Sequence, residues 1–489
     1  MKRVLVVGAG VAGLSASVEL ARAGAHVTLV EANAFAGGRF STVGTLRFEW
    51  QRRPFEFPID HGLHGFWRQY RNLNALMDRV GIRGRVNVAA QELVLPRGDR
   101  TVAVEVGARV KNSALPSLFA PLALLSSPEL ALATLRDGPL RYLKAGRQVL
   151  DAVAFDPVRD VARFDHLTVA DYLAGWPGWL ERLFCALTHS GFFLDAHEVS
   201  LAAFLTGLSV YSVSDKQDAE FTTLDDAAGP GLIEPLLNEV RRHGGEVRLS
   251  TRAQKLEAHA NGVTLQLPGE RLEADAAVLA VDPPGLKALG LPFSVEVPPA
   301  VASVSVRLFF SRQPHAARAE SGIFGDPRVD NFFWLDRLQR PFRAWREQTG
   351  GSVLECHLYG SRAARALSLG DDEVLASVKE AVAAGWPELA GSFAYGHVQR
   401  NPATHVAFVP GMLGKLPRVE SECPRVALAG DFVQTPWPTL YLERACLTGL
   451  LAARHLGAQL SLRAMPEPLK PFAAGRSVQT YRSLVRRAG

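Results

Sequence analysis

Cysteine is scarce: Cys185, Cys356, Cys423 and Cys446 are widely separated in a chain of 489 residues. There is no C-x-x-C, which argues against a zinc site or a redox dithiol, and the thiols are expected to be reduced and buried in a cytoplasmic protein. A membrane-spanning run is lacking too. The uncharged stretch from Asn112 to Pro128 is slightly short for a span and carries Pro116, Pro121 and Pro128. It predicts short helical turns with an apolar face that serves as a cavity wall, as plain core, or as a patch that dips into a bilayer. Acidic residues are missing from Pro468 to Gly489, where Lys470, Arg476, Arg482, Arg486 and Arg487 account for the whole net charge of +5. The body is then neutral and offers no footprint for nucleic acid. The basic tail is expected to be a solvated terminus or a membrane-surface contact. Met1-Lys2-Arg3 leads at once into a strand-like run, which leaves no room for a signal peptide ahead of it.

What is present is ordinary for a globular protein of two or three domains, with 47% hydrophobic and 21% charged residues. The first informative chemistry is Arg3 to Val7 (RVLVV), a buried parallel strand in pattern, running into Gly8-Ala9-Gly10-Val11-Ala12-Gly13. This is G-x-G-x-x-G between a strand and a helix (Val11 to Ala23). The first glycine permits the tight turn, the second lets a pyrophosphate approach the backbone, and the third lets the helix pack on the sheet. His26 to Val30 supplies a second strand that ends at Glu31 and Ala32, where the Glu31 carboxylate suits the ribose hydroxyls of an AMP unit and would repel a 2′-phosphate. Ala36-Gly37-Gly38-Arg39 follows, with two glycines for close approach and an arginine for the diphosphate.

With this fingerprint, acidic residue and G-G-R, the sequence resembles the flavin-dependent amine oxidase and phytoene desaturase superfamily. Arg425 to Ala429 ending in Gly430-Asp431, and a helix from about Thr439 to Leu456, fit the same pattern. The resemblance implies FAD as cofactor, with Gly430 and Asp431 toward the ribityl chain and Thr439 and Leu440, at the helix N-terminus, toward the flavin pyrimidine. The positive end of a helix suits the charge of reduced flavin there. It also implies that Val247, on a third strand after the helical pattern of Gly231 to Gly245, contacts adenine by its backbone. Lys255 to Leu267 and Ala276 to Val281 predict an antiparallel meander that returns to the sheet.

The expected fold is α/β: a discontinuous Rossmann-type FAD-binding domain (residues 1–95, 225–290 and 395–460) with an α+β substrate domain (96–224 and 291–394) and a basic tail (461–489). Within the superfamily, Asp60-His61-Gly62-Leu63-His64-Gly65-Phe66-Trp67-Arg68-Gln69-Tyr70-Arg71-Asn72-Leu73 and Pro438-Thr439-Leu440-Tyr441-Leu442-Glu443-Arg444-Ala445 look most like carotenoid desaturases of the isorenieratene synthase (β-carotene desaturase/methylase) type. That likeness implies an apolar carotenoid or isoprenoid substrate taken from a membrane surface, and desaturation or isomerisation with ring methyl migration as an inherited option. It further implies an electron acceptor such as quinone or oxygen, and a segment Gly62, Leu63 and His64 beside the flavin. His64 is the candidate acid/base or flavin-polarising residue, and a structural role weighs equally. His61 and Asp60 are read as structural, and Trp437 as a ring cap or packing. The amine oxidases usually carry a flavin-facing lysine on the strand aligned with Ala302 to Phe310, and none is present here. Phe192, Phe193, Phe204, Phe309, Phe310, Phe332, Phe333 and Trp334 suit an apolar tunnel, although each alone reads as core. No metal cluster or catalytic triad is evident. The alternatives are an amine or other small-molecule oxidase, and a redox-silent FAD protein that binds lipid.

Overall fold

Val4 to Val7 are buried on both faces, the pattern of a parallel strand covered by helices. In the computed structural model, which describes residues 1–88, 91–97, 100–105, 107–137, 139–219, 221–315 and 319–488, this strand is the centre of a five-stranded parallel sheet. The order is Glu246–Arg248, His26–Val30, Arg3–Val7, Ala276–Leu279, Val426–Leu428. Two helices from opposite ends of the chain, Val11–Arg22 and Tyr441–Gln459, pack together over the sheet. They approach closely because Gly449 has no side chain: a Cβ there would lie 2.2 Å from the Ala12 carbonyl oxygen. The meander forms as expected from Lys255–His259, Gly262–Leu267 and Glu270–Ala274.

A second sheet of seven strands runs in the order Phe393–Val406, Ala300–Phe310, Ser352–Leu358, Asn331–Trp334, Ser321–Phe324, Gln91–Arg97, Arg100–Glu105. Its neighbours are antiparallel except Ser321–Phe324 with Gln91–Arg97. Domain limits at 95 and 395 fall inside strands of this sheet, because Gln91–Arg97 and Phe393–Val406 hydrogen-bond to it along their lengths.

The period of two along its strands separates two faces. One is apolar: Val304, Val306, Leu308, Leu354, Cys356, Phe332 and Trp334 pack against the helix Asp371–Gly385 and its neighbours. The other places Ser303, Ser305, Arg307, Glu355 and His357 under the loop Asp60–His64. Phe310, Phe332 and Trp334, expected along a tunnel, are therefore core on the far side of the sheet. Phe309 and Phe333 belong to a cluster with Leu63, and Phe192 and Phe204 to the main core.

The tail is not a solvated terminus. Residues 476–488 form a helix that packs on Pro139–Ala154, with Val478 fully buried and Arg482 donating to the Val153 carbonyl (2.8 Å) and the Ser209 hydroxyl (2.9 Å). Ahead of it, Phe472 is covered by Arg68 and Arg71, whose guanidinium carbons lie 4.4 and 4.2 Å from the ring centre. The Arg486 and Arg487 side chains lie outside the described residues. The stretch at 115–125 gives a short 3₁₀ helix at Ala120–Ser126, and the Leu125 side chain is also outside the described residues. Cys356 and Cys446 are buried as expected, whereas Cys185 and Cys423 are only half-buried, and all four are free. Among the described residues, no helix is long and apolar enough to cross a membrane.

Candidate active site

The dinucleotide loop is built from its own close contacts. Gly8 has φ +101°, and a Cβ there would lie 2.5 Å from the Ala280 carbonyl oxygen; a Cβ on Gly13 would lie 1.9 Å from the Gly8 oxygen. Gly10 differs: its missing Cβ faces open space, which leaves the backbone accessible to a phosphate. Val11 and Ala12 form the first helical turn. The second glycine segment folds onto the first, with Gly37 N–H donating to the Ala9 oxygen (2.8 Å) and Gly38 beside Gly10. Arg39 then reaches across the chain to Asp431 (2.6 Å), joining N-terminal and C-terminal segments beside the glycine loops.

Glu31 is buried at the end of its strand, followed by half-buried Ala32. Its carboxylate accepts from Ala9 N–H (2.9 Å) and from the backbone and side-chain amides of Asn33 (2.8 and 2.9 Å), so the acidic residue also braces the glycine loop. Val247 is half-buried on the sheet's edge strand, paired with Leu29. At the other end, Gly430 N–H donates to the Thr448 hydroxyl (2.9 Å), which holds the Gly430-Asp431 turn against the last helix. Thr439 and Leu440 are buried just before that helix. The Leu440 N–H is taken by the Tyr211 hydroxyl (3.1 Å), so the open amides at this helix end lie beyond it. Trp437 is half-buried, and its carbonyl accepts from Thr435.

The loop from Asp60 to His64 is pinned from the polar face of the second sheet. Arg307 donates to the Asp60 carbonyl (2.6 Å), Asn401 to the His61 carbonyl (2.8 Å), and Glu355 accepts the Leu63 N–H (2.7 Å). Glu355 also meets Arg307 (2.7 Å) and His357 Nε2 (2.7 Å). Burial pushes the Glu355 carboxyl up, but Arg307, His357 and the Leu63 amide outweigh it and hold the group at about 2. His357 Nδ1 in turn meets the Tyr359 hydroxyl (2.7 Å). Gly62 lies directly over His357: a Cβ there would be 3.2 Å from Nε2.

His64 Nδ1–H donates to the Gly62 carbonyl (2.7 Å), which leaves Nε2 as the acceptor, and burial lowers the imidazole to about 4. It is neutral at physiological pH. A small cavity beside it is lined by Phe40, Asp60, Gly62, Leu63 and Leu224. Asp60, pushed up to about 6 by burial, accepts from Thr42 and from the Ala228 amide. His61 packs beside His405, ring centres 5.3 Å apart, and is held neutral by burial. The structure thus brings His64, Arg39, Asp431 and the glycine loops into one region, with Phe193 against His405 on the far side of His61.

Several of these groups escape a motif search: Tyr211, Arg307, Glu355, His357, Tyr359 and His405. A signal for part of the set is legible in retrospect. Arg307, and Glu355 with His357, interrupt apolar strands at alternate positions (SVSVR and VLECHLY), which marks a buried polar face.

The sequence matches the family described as flavin containing amine oxidoreductase over residues 11–457. The chain belongs to that family. It is an FAD-dependent oxidoreductase, and the residues above fit the cofactor: Gly10 leaves room at the backbone, and Arg39, Glu31 and the helix ends offer the donors and acceptors a dinucleotide needs. Similar proteins include the carotenoid phi-ring synthases of Streptomyces griseus (28% identical, covering 97% of this chain and 91% of that protein) and Chlorobaculum tepidum (23%, 96% and 91%). The 15-cis-phytoene desaturase of Solanum lycopersicum is 23% identical, covering 93% and 77%. Among solved structures, cyclohexylamine oxidase from Brevibacterium oxydans shares the fold with a TM-score of 0.67 at 18% identity, covering 94% of this chain and 99% of that one. A putrescine oxidase bound to putrescine gives 0.68 at 14%, covering 94% and 99%.

Proposed function

We propose that this FAD enzyme acts on a long apolar isoprenoid, as a carotenoid desaturase or isomerase, and takes its substrate from a membrane surface. The observation that carries the reading is a concentration of exposed apolar side chains at 119–154, over three successive helices. Phe119, Leu122, Leu132, Leu135, Leu140 and Leu143 are exposed there, among Arg136, Arg141, Lys144 and Arg147. The C-terminal helix packs on the same element and adds exposed Leu484 and Val485. Exposed apolar side chains interspersed with cations along the sequence suit a bilayer with anionic headgroups. The end-to-end likeness to carotenoid phi-ring synthases supports it.

When bound, FAD supplies the acceptor for a hydride. The chain's own residues bind and orient: the glycine loops and Arg39 hold the diphosphate, Glu31 the ribose, and the polar sheet face fixes the loop that carries His64. His64 would take a proton at Nε2 as the substrate is oxidised, a role supported by its neutral imidazole and by Nδ1–H donating to Gly62. An amine oxidase reading draws on the family description and on the structural neighbours. It is disfavoured by the strand Ala300–Phe310, which carries no lysine where the amine oxidases usually present one to the flavin.

Anaerobic addition of a carotenoid in liposomes should bleach the flavin with a more unsaturated product on chromatography, whereas an isomerised product without bleaching assigns a redox-neutral isomerisation. A flavin that stays oxidised with every polyene while benzylamine bleaches it defeats the proposal; no bleaching by either leaves the redox-silent lipid binder. For the membrane part, each inserted leucine contributes about 1.5–3 kcal/mol, more than about 1 kcal/mol per basic residue near an anionic surface. Sedimentation with liposomes should persist in high salt and be lost in Leu135→Asp/Leu140→Asp. Leu118 is unsuitable for this test because it is half-buried and its amide donates to Ser477 on the tail helix. Release by salt alone would assign binding to the charges.

A further inference from the structure

Arg444 lies in the first turn of the helix Tyr441–Gln459 and is 6% exposed. Its Nε and one terminal nitrogen are buried with no hydrogen-bond partner. A guanidinium held this way is unfavourable unless an acceptor arrives with a ligand. The surroundings narrow the choice of acceptor. Thr448, one turn later on the same helix face, bonds both the N–H and the carbonyl of Gly430, so this face looks onto the Gly430-Asp431 turn. Helical side chains lean toward the helix N-terminus, which carries the guanidinium toward the end where Leu440 has already given its N–H to Tyr211. One flank is the ring of Phe408, whose centre is 5.5 Å from the guanidinium carbon. Burial lowers the group to about 10, with Asp431 opposing, so it stays charged at neutral pH.

Arg39 and Arg444 both face Asp431, and that carboxylate is committed to Arg39 at 2.6 Å; the further acid here, Asp282, also acts on Arg39. The FAD diphosphate already has donors in the loop from Gly8 to Gly13 and in Arg39. A second negative charge develops only on reduction. Bound FAD would supply the hydride acceptor: with the hydride of a substrate C–H bond taken by the neutral oxidised ring and the adjacent proton by His64 Nε2, the ring would carry one negative charge over N1 and the C2 carbonyl. We propose that Arg444 donates to that pyrimidine edge and favours the reduced, anionic flavin over the oxidised one. Arg444 thereby supplements a helix end that has lost one amide to Tyr211.

The test uses the holoenzyme and its Arg444→Met and Arg444→Lys variants. Sulfite adds to the flavin and leaves the same negative charge on the pyrimidine, so its affinity reads the interaction without substrate. Arg444→Met should weaken sulfite binding at least tenfold and lower the preference for reduced over oxidised flavin by about tenfold, a shift of about 30 mV for a two-electron couple. Arg444→Lys should retain most of both, and FAD content should not change. Should the methionine variant fail to fold, Arg444→Gln takes its place with the same expected losses. The proposal is overturned if sulfite affinity and potential of the neutral variant stay within twofold of the parent. It is equally overturned if the folded variant binds no FAD, which would assign Arg444 to the diphosphate. No polyene enters these measurements, so their failure is distinct from failure of the substrate assignment.

Discussion

Removing Glu355 probes the polar face that holds the His64 loop. Arg307 and Glu355 are each 1% exposed and meet at 2.7 Å. Glu355→Ala leaves the Arg307 guanidinium with the Asp60 carbonyl as its remaining acceptor, and it strips the partner from the Leu63 amide and from His357 Nε2. Breaking a buried pair from one side costs about 3–5 kcal/mol, because the other charge stays buried. The depressed carboxyl points to a similar figure: held at about 2 against an ordinary 4.5 by Arg307, His357 and the Leu63 amide, it implies a gap of about 3 kcal/mol. For a chain of 489 residues unfolding cooperatively, 1 kcal/mol moves Tm by roughly 1 °C, so a fall of about 3–5 °C is expected. The assay is thermal unfolding of FAD-saturated protein at pH 7.5, with Arg307→Met/Glu355→Leu beside the single variant. The double variant should recover much of the loss. Because the folded carboxyl titrates below the unfolded one, its stabilisation is complete above about pH 5 and disappears as pH falls toward 2, where parent and variant should converge. A shift under about 1 °C, or a double variant no more stable than the single one, refutes the argument.

Glu31→Ala removes the acceptor assigned to the adenosine ribose and frees the Ala9 amide. Loss of a charge-assisted bond of about 1.5–3 kcal/mol predicts FAD affinity lower by about 10- to 150-fold in titration of the apoprotein; unchanged affinity places the ribose elsewhere. His64 is already neutral above about pH 4, so its contribution to the reaction should not titrate between pH 5.5 and 8. His64→Phe should then lower kcat by a constant factor of about 10²–10⁴ across that range with FAD content intact. A loss confined to low pH would mean that the imidazole titrates near its ordinary value.

The nucleotide half of this protein was legible in the chain because its signals are local. A strand, three glycines and an acidic residue within thirty-one positions define a phosphate loop by backbone sterics alone, and the same holds for Gly37-Gly38-Arg39. The pairing of Arg39 with Asp431, 392 residues apart, was not legible, although both residues belonged to motifs. The substrate half carries weaker signals. Phenylalanine content cannot distinguish a tunnel from a core, since which face of a strand meets the cofactor depends on sheet register. Here that register sends Phe332 and Trp334 into the far core and turns Arg307, Glu355 and His357 toward Gly62 and Leu63. The tail read as a solvated basic terminus or a membrane-surface contact because composition does not reveal that Val478 and Arg482 have a protein surface to dock on. What the sequence determined by itself is the cofactor and the fold that binds it, because those follow from conformational limits within single turns. Tertiary structure alone decided the charge environment around the flavin loop, because buried charges are tolerated only where distant strands bring their partners within hydrogen-bonding reach.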